Sequence, residues 1–227
     1  MTGYRLLLIL CVSFISPSAY ADYVIHGGTD DNSTALQGST VHGWDFVNAQ
    51  PLHLTALGFW DFGMDGVGID SNGQVESYSL GLWDTSSQTL LASVIISNDD
   101  PLDTQLTVEG GQWRYESLAT PVTLQSGNTY TLGFRTPTGG LGALTFDETL
   151  MLDDGQMITT HPSISLLGVD RFLASPSLAF PVNEAPTPFG VRANVNARVS
   201  SIPEPGPLLL FGFLSLAWLF GTRWPRC

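Results

Sequence analysis

Val191-Arg192-Ala193-Asn194-Val195-Asn196-Ala197-Arg198-Val199 sets a small apolar residue at every second position, with an arginine or asparagine between each pair. Successive side chains of a β-strand point to opposite faces, so this period of two predicts a strand with Val191, Ala193, Val195, Ala197 and Val199 buried. Arg192, Asn194, Asn196 and Arg198 are then expected to face water, as on a half-buried antiparallel strand. The same period places large apolar residues on one face in Tyr78-Ser79-Leu80-Gly81-Leu82 and in Tyr130-Thr131-Leu132-Gly133-Phe134. Further strands are expected over Trp44 to Val47, Leu52 to Trp60, Thr89 to Ile96, Gln112 to Ser117 and Ile158 to Leu166. Turn residues separate them: Ser71-Asn72-Gly73, Ser126-Gly127-Asn128 and Pro137-Thr138-Gly139-Gly140 supply positive φ or a proline-fixed φ. Pro176, Pro181, Pro186 and Pro188 predict an edge-covering loop before the last strand. No stretch between the ends carries a long three-and-four periodicity, so the fold class is all-β, an antiparallel β-sandwich or jelly roll.

Of the 227 residues, 43% are hydrophobic and 13% charged, a balance that predicts a folded core and excludes a mainly disordered chain. Eight cations stand against 21 carboxylates, giving a formal charge of −13. Every cation is an arginine and none form a run, whereas a nucleic-acid binder needs clustered cations to neutralise phosphates. Nucleic acid is excluded as a partner.

The two ends read differently from the middle. Residues 1–21 carry Arg5, an apolar stretch from Leu6 to Ile15 and the small-residue pattern Ala19-Tyr20-Ala21, the pattern of a cleaved secretory signal peptide. Cleavage after Ala21 makes Asp22 the first mature residue, and Ala19 and Ala21 are the cleavage-site residues. Cys11 follows Leu10 inside the apolar run, which argues against lipidation there. Residues 202–227 open on Pro203-Glu204-Pro205, continue through an uncharged run from Leu208 to Phe220 and end with Arg223 and Arg226. As a helix those thirteen residues span about 20 Å, short of the ~30 Å hydrocarbon core, and a transmembrane helix over about 208–222 inserts by local thinning and arginine snorkelling. The trailing arginines favour a cytoplasmic C-terminus. The domain plan is therefore a signal peptide at 1–21, a β-domain at 22–201 and a membrane-inserting tail at 202–227. Both cysteines, Cys11 and Cys227, lie outside the β-domain, which has neither disulfide nor thiol chemistry.

The order Pro203-Glu204-Pro205, apolar helix and short basic end, together with an N-terminal signal peptide, resembles the PEP-CTERM sorting signal of exported proteins in Gram-negative bacteria. That resemblance implies processing by an exosortase, with Pro203, Glu204 and Pro205 as the recognition element, and location at the cell surface or in an exopolysaccharide matrix. The chain would be anchored in the membrane by its tail, then released to the surface or the extracellular space. The basic end departs from the family's arginine cluster in holding only Arg223 and Arg226. A second resemblance rests on Leu57-Gly58-Phe59-Trp60-Asp61, Ser79-Leu80-Gly81-Leu82-Trp83-Asp84, Leu90-Leu91-Ala92-Ser93, Trp113-Arg114-Tyr115, and Pro121-Val122-Thr123-Leu124 through Gly127-Asn128-Thr129-Tyr130. It is similar to the DUF4082 type of extracellular β-sandwich and implies an accessory surface module without a defined reaction.

Candidate sites are few. Asp61, Asp65 and Asp70, with Glu76 and Asn72, offer hard oxygen ligands on a glycine-rich loop, which suits calcium, and equally suits a solvated acidic turn. Calcium is the one cofactor the chain suggests. Asp99, Asp100 and Asp103, and Asp147, Glu148, Asp153 and Asp154, read as solubilising groups. Trp60 and Trp83 end strongly apolar strands and read as core, while Trp44 and Trp113 are the candidates for stacking on a sugar ring. His26, His42, His53 and His161 are scattered, and no Gly-x-Ser-x-Gly elbow occurs. No catalytic residue is singled out, and the chain reads as a non-enzymatic structural or interaction protein. The alternatives are a carbohydrate-binding module for exopolysaccharide and a secreted hydrolase with a site built from long loops.

Overall fold

The computed structural model describes residues 22–25, 29–30, 39–62, 64, 66–67, 77–108, 111–135, 150–151, 160–186 and 194–202. Ala19, Ala21, Pro203, Glu204, Pro205 and the apolar helix expected over about 208–222 lie outside them. Among the described residues the strands are β1 (Asp22–Tyr23), β2 (Thr29–Asp30), β3 (Thr40–Asn48), β4 (Leu52–Phe62), β5 (Tyr78–Asp84), β6 (Thr89–Ile96) and β7 (Leu102–Val108). They continue as β8 (Gly111–Leu124), β9 (Thr129–Arg135), β10 (Leu150–Met151), β11 (Ile164–Ala174), β12 (Asn183–Pro186) and β13 (Val195–Ser201). No helix occurs among them. One antiparallel sheet has the order β1-β13-β4-β8-β7, a second the order β12-β11-β3-β9-β5-β6, and β10 pairs with β2.

The inner faces of the two large sheets meet in one core. Phe59 of β4 stacks on Tyr78 of β5 at 4.1 Å and 12°, and Phe134 of β9 meets Phe59 edge-on at 5.2 Å. Around this aromatic centre Leu54, Leu57, Leu80, Leu82, Leu132, Val195, Ala197 and Val199 are fully buried. Burying side chains of this size contributes roughly 1.5–3 kcal/mol each. The period-two residues of β5, β9 and β13 supply the core, as their alternation predicts.

Two of the chain's crossings between the sheets, β3 to β4 and β8 to β9, are tied to each other. Asn48 ends β3, and its Nδ2 donates to the Gln50 carbonyl at 2.7 Å and the Leu124 carbonyl at 3.4 Å. The β8–β9 turn returns the bond, because Gly127 N–H donates to the Asn48 carbonyl at 2.8 Å. Gly127 holds φ at +79°, the left-handed region in which a glycine has no steric penalty.

The second sheet carries a transverse row in register: Glu184 of β12, Arg171 of β11, Gly43 of β3, Gly133 of β9, Gly81 of β5 and Ser93 of β6. Gly81 and Gly133 leave a trough that takes the indole of Trp83, while Gly43 lets the backbones of β3 and β9 approach closely, a Cβ there lying 2.6 Å from the Leu132 carbonyl oxygen. A Cβ on Gly81 would lie 2.5 Å from that ring, and one on Gly133 would lie 2.5 Å from the His42 carbonyl oxygen and 3.2 Å from the ring. Phe180, from the segment after β11, closes the trough edge-on to Trp83 at 6.3 Å.

Four expectations change. The strand expected over Ile158 to Leu166 starts later, at Ile164, because Pro162 sits in a turn closed by Ile164 N–H donating to the His161 carbonyl at 2.8 Å. Within the proline-marked loop, Asn183–Pro186 pairs with β11 as an edge strand, the one sheet position where a proline loses no ladder bond. Leu102–Val108 is a strand on the edge of the first sheet, and Asp103 within it is buried instead of solubilising. Asn194 and Asn196 are buried and do not face water, because the outer face of β13 is covered.

Gly133→Ala is expected to destabilise the fold by about 1–3 kcal/mol, since the nearest atom the new methyl meets is rigid backbone, the His42 carbonyl oxygen. Urea unfolding followed by tryptophan emission checks this, with Trp83 reporting the disturbed trough.

Candidate functional site

Aspartate and arginine at adjacent strand positions produce the first polar centre. Asp61 of β4 and Arg114 of β8 lie on the inner face beside the Phe59 layer, and Arg114 Nε donates to Asp61 Oδ2 at 2.6 Å with the carboxylate fully buried. The guanidinium also donates through Nη1 to the carbonyls of Asn98 at 2.9 Å and Asp100 at 2.7 Å, tying down the β6–β7 link. The second carboxylate oxygen accepts from Gly66 N–H at 3.1 Å. Both oxygens of Asp61 are thus committed, one to a cation and one to backbone. Of the three carboxylates read as calcium ligands, Asp61 is held in this ion pair, while Asp65 and Asp70 lie outside the described residues.

The outer face of the first sheet carries the second centre. Gly58 of β4 leaves space that the Tyr115 ring fills: a Cβ there would lie 2.4 Å from Tyr115 Cε1. Arg198 of β13 lays its guanidinium over Tyr115 at 4.4 Å and near Tyr23 at 5.9 Å, while its Nη2 donates to Asp103 Oδ2 at 2.9 Å. Trp60 and Trp113, cross-strand partners, meet edge-to-face at 5.3 Å and 65° beside this group. The result is a second aromatic layer, with Tyr23, Ala56, Trp60, Trp113 and Tyr115 buried together. It includes three buried polar atoms without a hydrogen-bond partner, Trp60 Nε1, Trp113 Nε1 and the Tyr115 hydroxyl. Asn196 serves the same layer as a surrogate strand: its Oδ1 accepts from Ile25 N–H at 3.0 Å and its Nδ2 donates to the Ile25 carbonyl at 2.8 Å.

Burial first, and then the hydrogen bond to the Asp103 carboxylate, which opposes a second negative charge, together push the Tyr23 phenol up to about 12. Tyr115 is also raised well above the ordinary phenol value, mainly by complete burial.

The third centre lies on the outer face of the second sheet. Arg171 donates from Nε to both Asp45 oxygens at 2.7 and 2.8 Å and from Nη2 to Asp45 and Glu184 at 2.7 and 2.8 Å. Thr131 adds a hydroxyl bond to Asp45 at 2.7 Å, and Arg171 also lies over the Phe180 ring at 5.3 Å. Chemically, all three centres hold a guanidinium and a carboxylate in fixed positions; they cross-link strands.

The tryptophan expectation is corrected. Trp44 sits in the main core, tilted against Phe46 at 5.7 Å with its Nε1 donating to the Val195 carbonyl at 3.3 Å, and Trp113 is sealed in the second layer. Both are fully buried, so neither offers a ring face on which a sugar could stack. Trp60 and Trp83 are buried as expected. The sequence reading does not single out the arginine centres; the available signal is an arginine at 114, 171 and 198 within strand-like stretches, in a chain with only eight cations. No protein-family model matches the chain, and no curated protein matches it.

Two outcomes follow. Arg114→Met leaves Asp61 charged and unpaired in the core and is expected to cost about 3–5 kcal/mol in urea unfolding, while the double change Asp61→Leu with Arg114→Met recovers a large part of the loss. The folded chain keeps the Tyr23 proton up to about pH 12, whereas an unfolded tyrosine releases it near 10, so the associated stability is complete below pH 10 and lost as pH rises to 12. Tyr23→Phe is expected to flatten the fall of Tm between pH 10 and 12, leaving only the part due to Tyr115, in melts recorded across that range.

Proposed function

We propose that this chain is an exported surface or extracellular-matrix protein of a Gram-negative bacterium, with a β-sandwich body in a structural or interaction role. Its tail is read as a PEP-CTERM sorting signal, processed by an exosortase-type enzyme at Pro203-Glu204-Pro205 after the apolar helix has held the chain in the membrane. The observation that supports this most is where the body's two ends emerge. β1 pairs with β13 so that Asp22 sits opposite Val199 and Tyr23 opposite Arg198. Asp22, the first residue after the expected signal-peptide cut, therefore lies opposite a residue three positions before the expected start of the tail, at the same end of one sheet. A body delivered through an N-terminal signal and retained by a C-terminal helix can fold completely while both segments remain in the same membrane. Among the described residues no strand reaches into either segment, the first beginning at Asp22 and the last ending at Ser201. The arginine centres support a scaffolding role, since their charges are spent within the fold on Asp61, Asp45, Glu184 and Asp103.

Intact-mass measurement of the protein from its native host, with peptide mapping of both ends, tests this reading. The expected product starts at Asp22 and ends near Pro203-Glu204-Pro205. Replacing those three residues by alanine is expected to leave Leu208 to Cys227 attached and shift the mass upward accordingly. A wild-type product that retains the tail, unaffected by the replacement, overturns exosortase processing and leaves a plain membrane anchor.

A further inference from the structure

The second aromatic layer is a continuous chain of oxidisable rings. Trp60 lies 5.3 Å from Trp113, Trp113 lies 6.4 Å from Tyr115, and Tyr115 lies 5.8 Å from Tyr23, centroid to centroid. With no cysteine among the described residues, tryptophan and tyrosine are the side chains that give up one electron most easily. Each step in the chain is short enough for an electron to pass between neighbouring rings. What distinguishes the four rings is where their protons can go. Trp60 Nε1, Trp113 Nε1 and the Tyr115 hydroxyl are buried without a hydrogen-bond partner, whereas Tyr23 is hydrogen-bonded to the Asp103 carboxylate. An oxidised indole is a weak acid and keeps its N–H proton for a time, so the two tryptophans can hold a mobile positive hole. An oxidised phenol is a very strong acid and forms readily only where a base stands within hydrogen-bond reach. Tyr115 has no such base, and the Arg198 guanidinium 4.4 Å over its ring opposes a second positive charge there. Exposure rises along the same path, from 0% at Trp60 and Trp113 through 4% at Tyr115 to 8% at Tyr23.

We propose that Trp60, Trp113, Tyr115 and Tyr23 form a relay that carries an oxidising equivalent to Tyr23, with Asp103 as the proton acceptor. The first step needs a one-electron oxidant of the radical class, which takes an electron from Trp60 or Trp113 and leaves an indole radical cation. Tyr23 then gives one electron to that indole, with the Tyr115 ring as the bridge, and gives its phenolic proton to Asp103. The products are a neutral tyrosyl radical, a protonated Asp103 and a restored tryptophan. A soluble one-electron donor, such as a small phenol, reduces the tyrosyl radical as Asp103 returns the proton. Oxidant and donor have then exchanged one electron, and the protein is unchanged. Asp103 can take the proton even while it is paired with Arg198 at 2.9 Å, since a carboxylate in an ion pair is still far more basic than an oxidised phenol. Before oxidation Tyr23 holds its proton throughout the neutral range, so electron and proton leave it in one event. This activity is separate from scaffolding and from what happens to the tail.

Pulse radiolysis of the full chain in mild detergent, with azide radical as the oxidant, tests this. The tryptophan-radical absorption is expected to decay as the tyrosyl-radical absorption grows, at a rate that dilution of the protein does not change. Tyr23→Phe is expected to abolish that intramolecular phase and to lengthen the life of the tryptophan radical. Asp103→Asn keeps the size of the side chain and removes the base, and is expected to slow the phase at least about tenfold. Should Asp103→Asn fail to fold, Tyr23→Phe still decides, because it deletes a single oxygen. Tyr130→Phe, a change in the main core, is expected to leave the phase at its wild-type rate. The tail tryptophans Trp218 and Trp224 are the same in every chain compared, so their oxidation does not distinguish them. A wild-type chain without the intramolecular phase overturns the proposal. So does a phase that survives Tyr23→Phe at full amplitude, keeps its rate in Asp103→Asn, or is lost in Tyr130→Phe.

Discussion

A guanidinium held against a buried aspartate is the interaction on which this structure depends. It occurs on the inner face between Asp61 and Arg114, on one outer face between Asp103 and Arg198, and on the other between Asp45 and Arg171. Each pair links strands distant in sequence, and each guanidinium has a further partner: the carbonyls of Asn98 and Asp100, the ring of Tyr115, or the carboxylate of Glu184. Such a pair contributes little net stability once desolvation is counted, but a wrong strand register would leave a bare charge in an apolar layer at a cost of several kcal/mol. In strands without a cysteine, the pairs supply a positional constraint of the kind that disulfides give many small secreted folds.

The aromatic residues explain why the first sheet can bury both faces. Its inner side carries the layer centred on Phe59 and Tyr78; its outer side carries Tyr23, Trp60, Trp113 and Tyr115. Small residues make the second layer fit, with Gly58 and Ala56 leaving room for rings that would otherwise stand off the strand. The second sheet uses the same device at Gly133 and Gly81 beneath Trp83. Glycine weakens a strand locally, and here the loss is offset by the large apolar area of the ring that takes its place.

Period-two alternation made the strands of the core legible from sequence, because burial of one face is a local property of consecutive residues. Thr89–Ile96 was bounded at the residues observed, and β5, β9 and β13 differ from the expected limits by a few positions at most where the structure describes them. What alternation could not reveal was the fate of the other face. Asn196 and Arg198 have the side chains of a solvated surface, and whether they meet water depends on Tyr23, Asp103 and Tyr115, each far away in sequence. The same limit applies to Asp61, whose sequence neighbours read as a loop and whose partner Arg114 lies on a strand far along the chain. Trp44 and Trp113 differ from Trp60 and Trp83 in local pattern but not in burial, since tertiary packing decides which indole is covered.

The pairing of β1 with β13 has a mechanical corollary. Any pull entering the body through its C-terminal strand is directed along β13, which lies between β1 and β4 and is held to β4 through seven registered pairs from Val195 to Ser201. Loaded lengthwise, those pairs share the force in shear and must yield together, whereas a pull across the strand would open them one at a time. A domain hung from that strand resists drag and collision by the rate at which the whole ladder gives way, so its endurance under tension is set by the barrier to rupture more than by its equilibrium stability.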